Sequence, residues 1–136
     1  PDSSFQFASL YRPTHMIGLE LGISVASAAL RGESTGAPIT FNSDVVATAK
    51  RDLAEGEMLD GEGGFSVWGK QTPARTSLDE GYLPLGLAQN VKMKRSVATG
   101  ERLKWVDVEI DESDDAVNVR REMEAMFAGP NVSVSG

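Results

Sequence analysis

Tyr11, Arg12 and His15 put a phenol, a fixed cation and a titratable ring within five residues. A guanidinium can fork onto a carboxylate or phosphate, and an imidazole can trade protons near neutral pH. The pair Arg12 and His15 therefore reads as a candidate anion-binding corner. The competing reading is structural: Arg12 braces an internal carboxylate such as Glu20. That residue lies in a small, apolar stretch where a lone charge is costly unless it is paired. His15 is the only histidine and cysteine is absent, which removes His–His metal pairs, thiolate ligands, disulfides and cysteine nucleophiles. No Ser/His/Asp set assembles, so no catalytic residue and no metal ligand is assigned.

Asp60, Gly61, Glu62, Gly63 and Gly64 form a glycine-rich loop, which raises the question of a phosphate cradle. Such cradles open a helix and offer amides away from negative charge. Here a strand-like run follows, and Asp60 and Glu62 would repel phosphate, so the loop reads as a structural turn. The acidic run from Asp111 to Asp115 lacks the alternation and central glycine of a calcium loop. It suits a helix entry favoured by the dipole.

The chain has 136 residues, 40% of them hydrophobic and 24% charged, as expected of a globular protein. Its net charge of −7 argues against nucleic acid or an anionic membrane as partner. No apolar run approaches the roughly 18 residues of a membrane span. The absence of cysteine fits a reducing cytoplasm. The chain begins at Pro1 without a methionine, which reads as a piece of a longer protein. The late acidic cluster (Asp107, Glu109, Asp111, Glu112, Asp114, Asp115) and the basic one before it (Lys92, Lys94, Arg95, Arg102, Lys104) both read as solvated faces.

Among the elements that must position these residues, a helix is expected over residues 23–31, closed by Gly32, with Thr14 a candidate cap further upstream. Its surface is small or apolar nearly all round, the pattern of a buried helix, yet this chain offers it little to be buried against, which points to a missing partner and to apolar exposure or self-association here. Strands are expected over residues 45–51, 58–59, 65–70, 91–97 and 103–110, and Thr76 or Ser77 is expected to cap a single helical turn ended by Gly81. A final helix capped by Asp114 or Asp115 is expected to turn Ala116, Val119, Met123, Met126 and Phe127 inward, with Arg120, Arg121, Glu122 and Glu124 outward. Gly129 and Pro130 stop it, and residues 131–136 read as a frayed tail.

A segment of the chain occurs twice. At a spacing of 44, Lys50, Arg51, Ala54, Gly56, Glu57 and Leu59 match Lys94, Arg95, Ala98, Gly100, Glu101 and Leu103, and Leu53 matches Val97 conservatively. Two copies are too few for a solenoid and suit a domain folded about a pseudo-two-fold axis. Each copy reads as a strand, a glycine turn with positive φ, and a short extended arm.

The run over residues 45–57, then Gly86, Leu87 and Ala88, then residues 94–101, resembles a SAF domain. That family includes the C-terminal domain of sialic acid synthases, type III antifreeze proteins and flagellar P-ring chaperones. The resemblance implies a β-clip: mainly β with a few helices, here flanked by an N-terminal apolar helix and a C-terminal amphipathic one. Residues 11–20, the helix from Ile23, the 60–65 loop and residues 83–88 resemble more closely the C-terminal part of homoserine-dehydrogenase-like oxidoreductases, which include deoxyxylulose-phosphate reductoisomerase-like enzymes.

That closer resemblance covers the chain from about Phe7 to Phe127. It implies an N-terminal segment over residues 1–42 belonging partly to a catalytic body, a SAF domain over 43–110, and a C-terminal helix and tail over 111–136. It further implies Rossmann and substrate domains of the same parent chain as partners, homo-oligomerisation, and Arg12 and His15 as substrate binders in the parent enzyme. NAD(P) belongs to the parent. The chain itself carries no Gly-x-Gly-x-x-Gly unit to hold a nicotinamide cofactor. The alternative is a self-sufficient SAF binding module for a sugar acid or a protein partner.

Overall fold

The computed structural model describes residues 9, 11–36 and 39–129. Pro130 and the tail 131–136, read above as a stop and a frayed end, lie outside the described residues, as do Phe7 and most of the first ten positions. Contacts divide the chain into two units, Pro1–Ile39 and Thr40–Gly136.

In the first unit, helix α1 spans Ile17–Ala26 and runs on into a π-helical turn, Ser27–Arg31. The helix thus begins earlier than residue 23. Gly18 and Gly22 each cost about 1 kcal/mol against alanine, but between Pro13 and Gly32 nothing else breaks a helix. Met16 is its N-cap without a side-chain cap bond, so Thr14 does not cap it. Arg31 donates to Ser27 Oγ at 2.9 Å across the π turn, and Gly32 closes the helix at φ 64°. No residue of α1 is buried. Ile17, Leu19, Leu21, Ile23 and Val25 all stand at least 60% exposed, so this apolar surface has no cover among the described residues, as expected of a helix whose partner lies outside this chain.

The second unit is a mixture of short antiparallel strands and small helices. Strand β1 (Ser43–Ala49) pairs with β3 (Val67–Pro73) from Ser43↔Pro73 to Ala49↔Val67. Strand β4 (Gln89–Met93) lies between β2 (Met58–Asp60) and β5 (Val108–Glu109), also antiparallel. Helix α2 spans Ala74–Glu80 and ends at Gly81 with φ 66°. It starts directly after Pro73, so neither Thr76 nor Ser77 caps it. The strand expected over 91–97 stops at Met93. That expected over 103–110 is interrupted at Trp105–Asp107 by a 3-10 turn, because the Asp107 carboxylate turns back to accept the Lys104 N–H at 2.8 Å. Asp107 is fully buried rather than part of a solvated acidic face.

The two copies of the repeat meet each other at equivalent residues. Leu53 N–H donates to the Val97 carbonyl at 2.9 Å and Val97 N–H donates back to Leu53 at 3.0 Å. Around this exchange the hydrogen bonds come in matched sets. Gly56 N–H to Met93 O (2.8 Å) is mirrored by Gly100 N–H to Ala49 O (2.9 Å), and Met93 N–H to Glu57 O (2.8 Å) by Ala49 N–H to Glu101 O (2.9 Å). Glu57 and Glu101 each accept the N–H three residues back, from Ala54 and Ala98. Such reciprocal pairing is an approximate two-fold. Leu53, Val97, Ala49, Met93, Leu59 and Leu103 fill the core beside it, each at most 2% exposed.

Helix α3 (Asp115–Phe127) is capped by Asp114, whose carboxylate accepts the Ala116 N–H at 2.7 Å. Its packed face differs from the one hydropathy selects. Val117 is buried, whereas Val119 and Met126 are exposed. Arg120 and Glu124 turn inward: Arg120 grips Asp44 with Nη1–Oδ1 at 3.2 Å and Nη2–Oδ2 at 2.6 Å, and its Nε donates to Glu124 at 2.8 Å. The Arg120 guanidinium also lies 5.2 Å from the Phe41 ring centre. Ser77 donates its hydroxyl to Asp44 at 2.6 Å. Burial raises the Asp44 carboxyl, but the bonds from Arg120 and Ser77 outweigh it and hold the group below its ordinary pKa. Removing one partner of such a buried pair strands the other charge, at a cost of about 3–5 kcal/mol.

Gly56 and Gly100 have φ of 81° and 84°, as the equivalent turns require. We expect Gly56→Val and Gly100→Val each to destabilise the protein by about 1–3 kcal/mol, since a β-branched residue is strained in this region. Thermal denaturation checks it. Wild-type melting temperatures for both would refute the equivalence.

Candidate functional site

Among the described residues, three places are candidates for polar chemistry beyond the Arg120–Asp44 clasp. The first is the glycine-rich loop. Gly61 and Gly63 have positive φ (73° and 79°), which curls the backbone so that the Asp60 carboxylate sits inside its own loop. It accepts the Phe65 N–H at 2.6 Å, the Ser66 N–H at 2.9 Å and the Ser66 hydroxyl. A Cβ added to Gly64 would strike the Asp60 carboxylate. The donors of this concavity are thus spent on an internal anion. The loop leads into β3 rather than into a helix, so it does not fit the pyrophosphate of a nicotinamide cofactor. The Ser66 hydroxyl, then the Phe65 and Ser66 amides, hold the Asp60 carboxyl far below the usual carboxylate range.

The second place is the N-terminal corner. Arg12 Nη2 lies 2.6 Å from Glu20 Oε1, and His15 Nδ1 lies 3.4 Å from Glu20 Oε2. Arg12 Nε also donates to the Thr14 carbonyl at 3.1 Å. The two residues singled out from sequence are therefore brought together, and they converge on Glu20. This carboxylate is paired with both side chains, and it lies in the first turn of α1, where negative charge suits the dipole. The corner is open to solvent: Arg12 is 55% and His15 69% exposed.

The third place contains Arg95, Arg102 and Lys104, which in the sequence read only as part of a solvated face. Lys70, Tyr82, Arg95, Arg102 and Lys104 line one groove of the second unit, together with Glu80 and Glu101. Lys92 and Lys94, from the same basic run, are not in it. The signal that could have revealed it is the alternation Arg102, Leu103, Lys104, which puts two cations on one side of an extended arm and a leucine on the other. Tyr82 and Lys70 arrive through tertiary pairing, which no local pattern records.

No protein-family model matches this chain, and no curated protein matches it either. Among the described residues, no helix is long and apolar enough to cross a membrane.

Because the folded-state pKa of Asp60 is depressed, its contribution to stability is present above the unfolded value and lost as pH falls through the folded one. Asp60→Asn should lower the melting temperature at pH 7, and the gap to wild type should narrow below about pH 4. Melting curves from pH 7 to pH 2 test this, and a gap constant with pH would refute the account of the loop.

Proposed function

We propose that this chain is the C-terminal, SAF-like part of an NAD(P)-dependent, homoserine-dehydrogenase-like oxidoreductase, in which it serves structure and assembly. The observation that carries the reading is α1: a helix lined by Ile17, Leu19, Leu21, Ile23 and Val25, none of them buried. Exposed apolar surface on this scale marks a contact face. In this reading its cover is the catalytic body of the same parent enzyme. The reciprocal pairing of Leu53 with Val97 supports a β-clip, since that fold is built about an internal two-fold. The nicotinamide cofactor belongs to the parent's dinucleotide domain, and the redox chemistry takes place there.

The direct test is to read the codons upstream of Pro1. An in-frame strand, Gly-x-Gly-x-x-Gly turn and helix is expected. A stop codon followed by a start codon immediately before Pro1 would overturn the reading.

Within the same proposal, Arg12 and His15 form the substrate-anion corner of the parent enzyme, with Glu20 holding both side chains in place until an anionic substrate competes for them. In the parent, Arg12→Ala and His15→Ala should each reduce kcat/KM at least about tenfold, near 1.4 kcal/mol of transition-state stabilisation, without lowering the melting temperature. Unchanged kinetics with lost stability would assign Arg12 to bracing Glu20 alone.

A further inference from the structure

We infer that the groove around Tyr82 is a binding site for a small oxyanion, a phosphate or carboxylate group, with Arg102 and Lys70 as its principal donors. The inference concerns the second unit alone and does not depend on the family reading. In a chain of net charge −7, this groove gathers four cations against the two carboxylates Glu80 and Glu101. Lys104 is engaged by Glu80 at 2.8 Å, and Arg95 by the buried Asp107 at 2.6 Å. Arg102 has no such partner among the described residues. Its Nη1 makes one long contact, 3.5 Å, to the Tyr82 hydroxyl, and its Nε is buried with no acceptor. Lys70 likewise has no ion-pair partner among the described residues. A guanidinium and an ammonium left uncommitted in one groove, with a buried donor unmet, describe a site lacking its acceptor.

Tyr82 organises the cations. It stands opposite Lys104 in an antiparallel bridge, and its ring centre lies 5.3 Å from the Arg102 guanidinium carbon and 5.7 Å from Lys104 Nζ. Both cations are thus held over an aromatic face at the distance of a cation–π contact. This orders long side chains in advance and reduces the entropy lost when an anion binds.

The internal two-fold supplies a control. By the repeat spacing, the first-copy equivalents of Arg102, Leu103 and Lys104 are Met58, Leu59 and Asp60. The backbone settings match: Met58 pairs with Lys92 as Arg102 pairs with Thr48, and Leu59 and Leu103 are both core residues. At the outward position that Arg102 holds in the second copy, the first copy keeps the same backbone setting with methionine. The shared scaffold therefore does not demand the charge of Arg102, and a ligand accounts for it.

The test is titration of the isotopically labelled full chain with inorganic phosphate and, separately, with malonate, in low-chloride buffer. The amides of residues 70, 82 and 102 and the Arg102 Nε–H resonance should shift saturably, with half-saturation at about 1–10 mM for such minimal probes. Tighter binding of phosphate would mark a phosphoryl ligand, and tighter binding of malonate a carboxylate one. Arg102→Met, which installs the first copy's residue, should weaken binding at least about tenfold while leaving the melting temperature unchanged. Lys70→Gln provides a second variant with the same expectation, should Arg102→Met fail to fold, and Arg75→Gln outside the groove should bind as wild type. No saturable shift, shifts spread equally over all lysines and arginines, or wild-type affinity in Arg102→Met or Lys70→Gln would overturn the inference.

Discussion

The second unit depends on the exchange of two hydrogen bonds between Leu53 and Val97. Each residue is the other's counterpart in the repeat, so satisfying one backbone satisfies its equivalent. Buried amides and carbonyls must find partners, and here each copy uses the other as its template. The pairing of Gly56 with Met93 and of Gly100 with Ala49 extends the same rule outward. The turns must then take positive φ at both glycines, and Leu59 and Leu103 must both face the core.

Carboxylates finish what the backbone leaves open. Asp60 closes the 61–66 loop, Asp107 ties the 3-10 turn to Arg95, and Asp44 receives α3 through Arg120. Asp60 and Asp107 accept backbone N–H groups that short, irregular segments cannot pair within a ladder, and Asp44 accepts from the Arg120 guanidinium and the Ser77 hydroxyl. A domain with so little regular sheet uses side-chain acceptors where larger sheets use strand partners. Part of the chain's acidity is therefore structural rather than solvated.

What was legible in the sequence follows from what is local. The duplication, the two glycine turns, the Asp114 cap and the Gly32 and Gly81 helix ends all have signatures within a few residues, and the structure contains each. The face of α3 was not legible, because hydropathy cannot distinguish a solvated arginine from one sunk onto a carboxylate 76 residues away. The start of α1 at Ile17 was not legible from local propensity, because the penalties at Gly18 and Gly22 weaken the first turns without stopping the helix. Of the candidate sites, Arg12 and His15 announced themselves by proximity in the chain, together with the Glu20 that holds them. The groove around Tyr82 did not, since Lys70, Tyr82 and Arg102 are joined only by strand pairing.

The clasp of Arg120 on Asp44 has a topological consequence. With the Phe41 and Phe127 rings 5.8 Å apart, the start of the second unit and the end of α3 lie side by side. Neighbouring ends are the condition under which a domain tolerates circular permutation. Nothing in the packing of the described residues fixes α3 as the last element rather than the first. A short link between the two ends, with the chain opened in the exposed turn at Glu112, would place α3 ahead of β1 and keep every hydrogen bond of the two-fold. The order of the elements along this chain is thus one of several that the same set of contacts accepts.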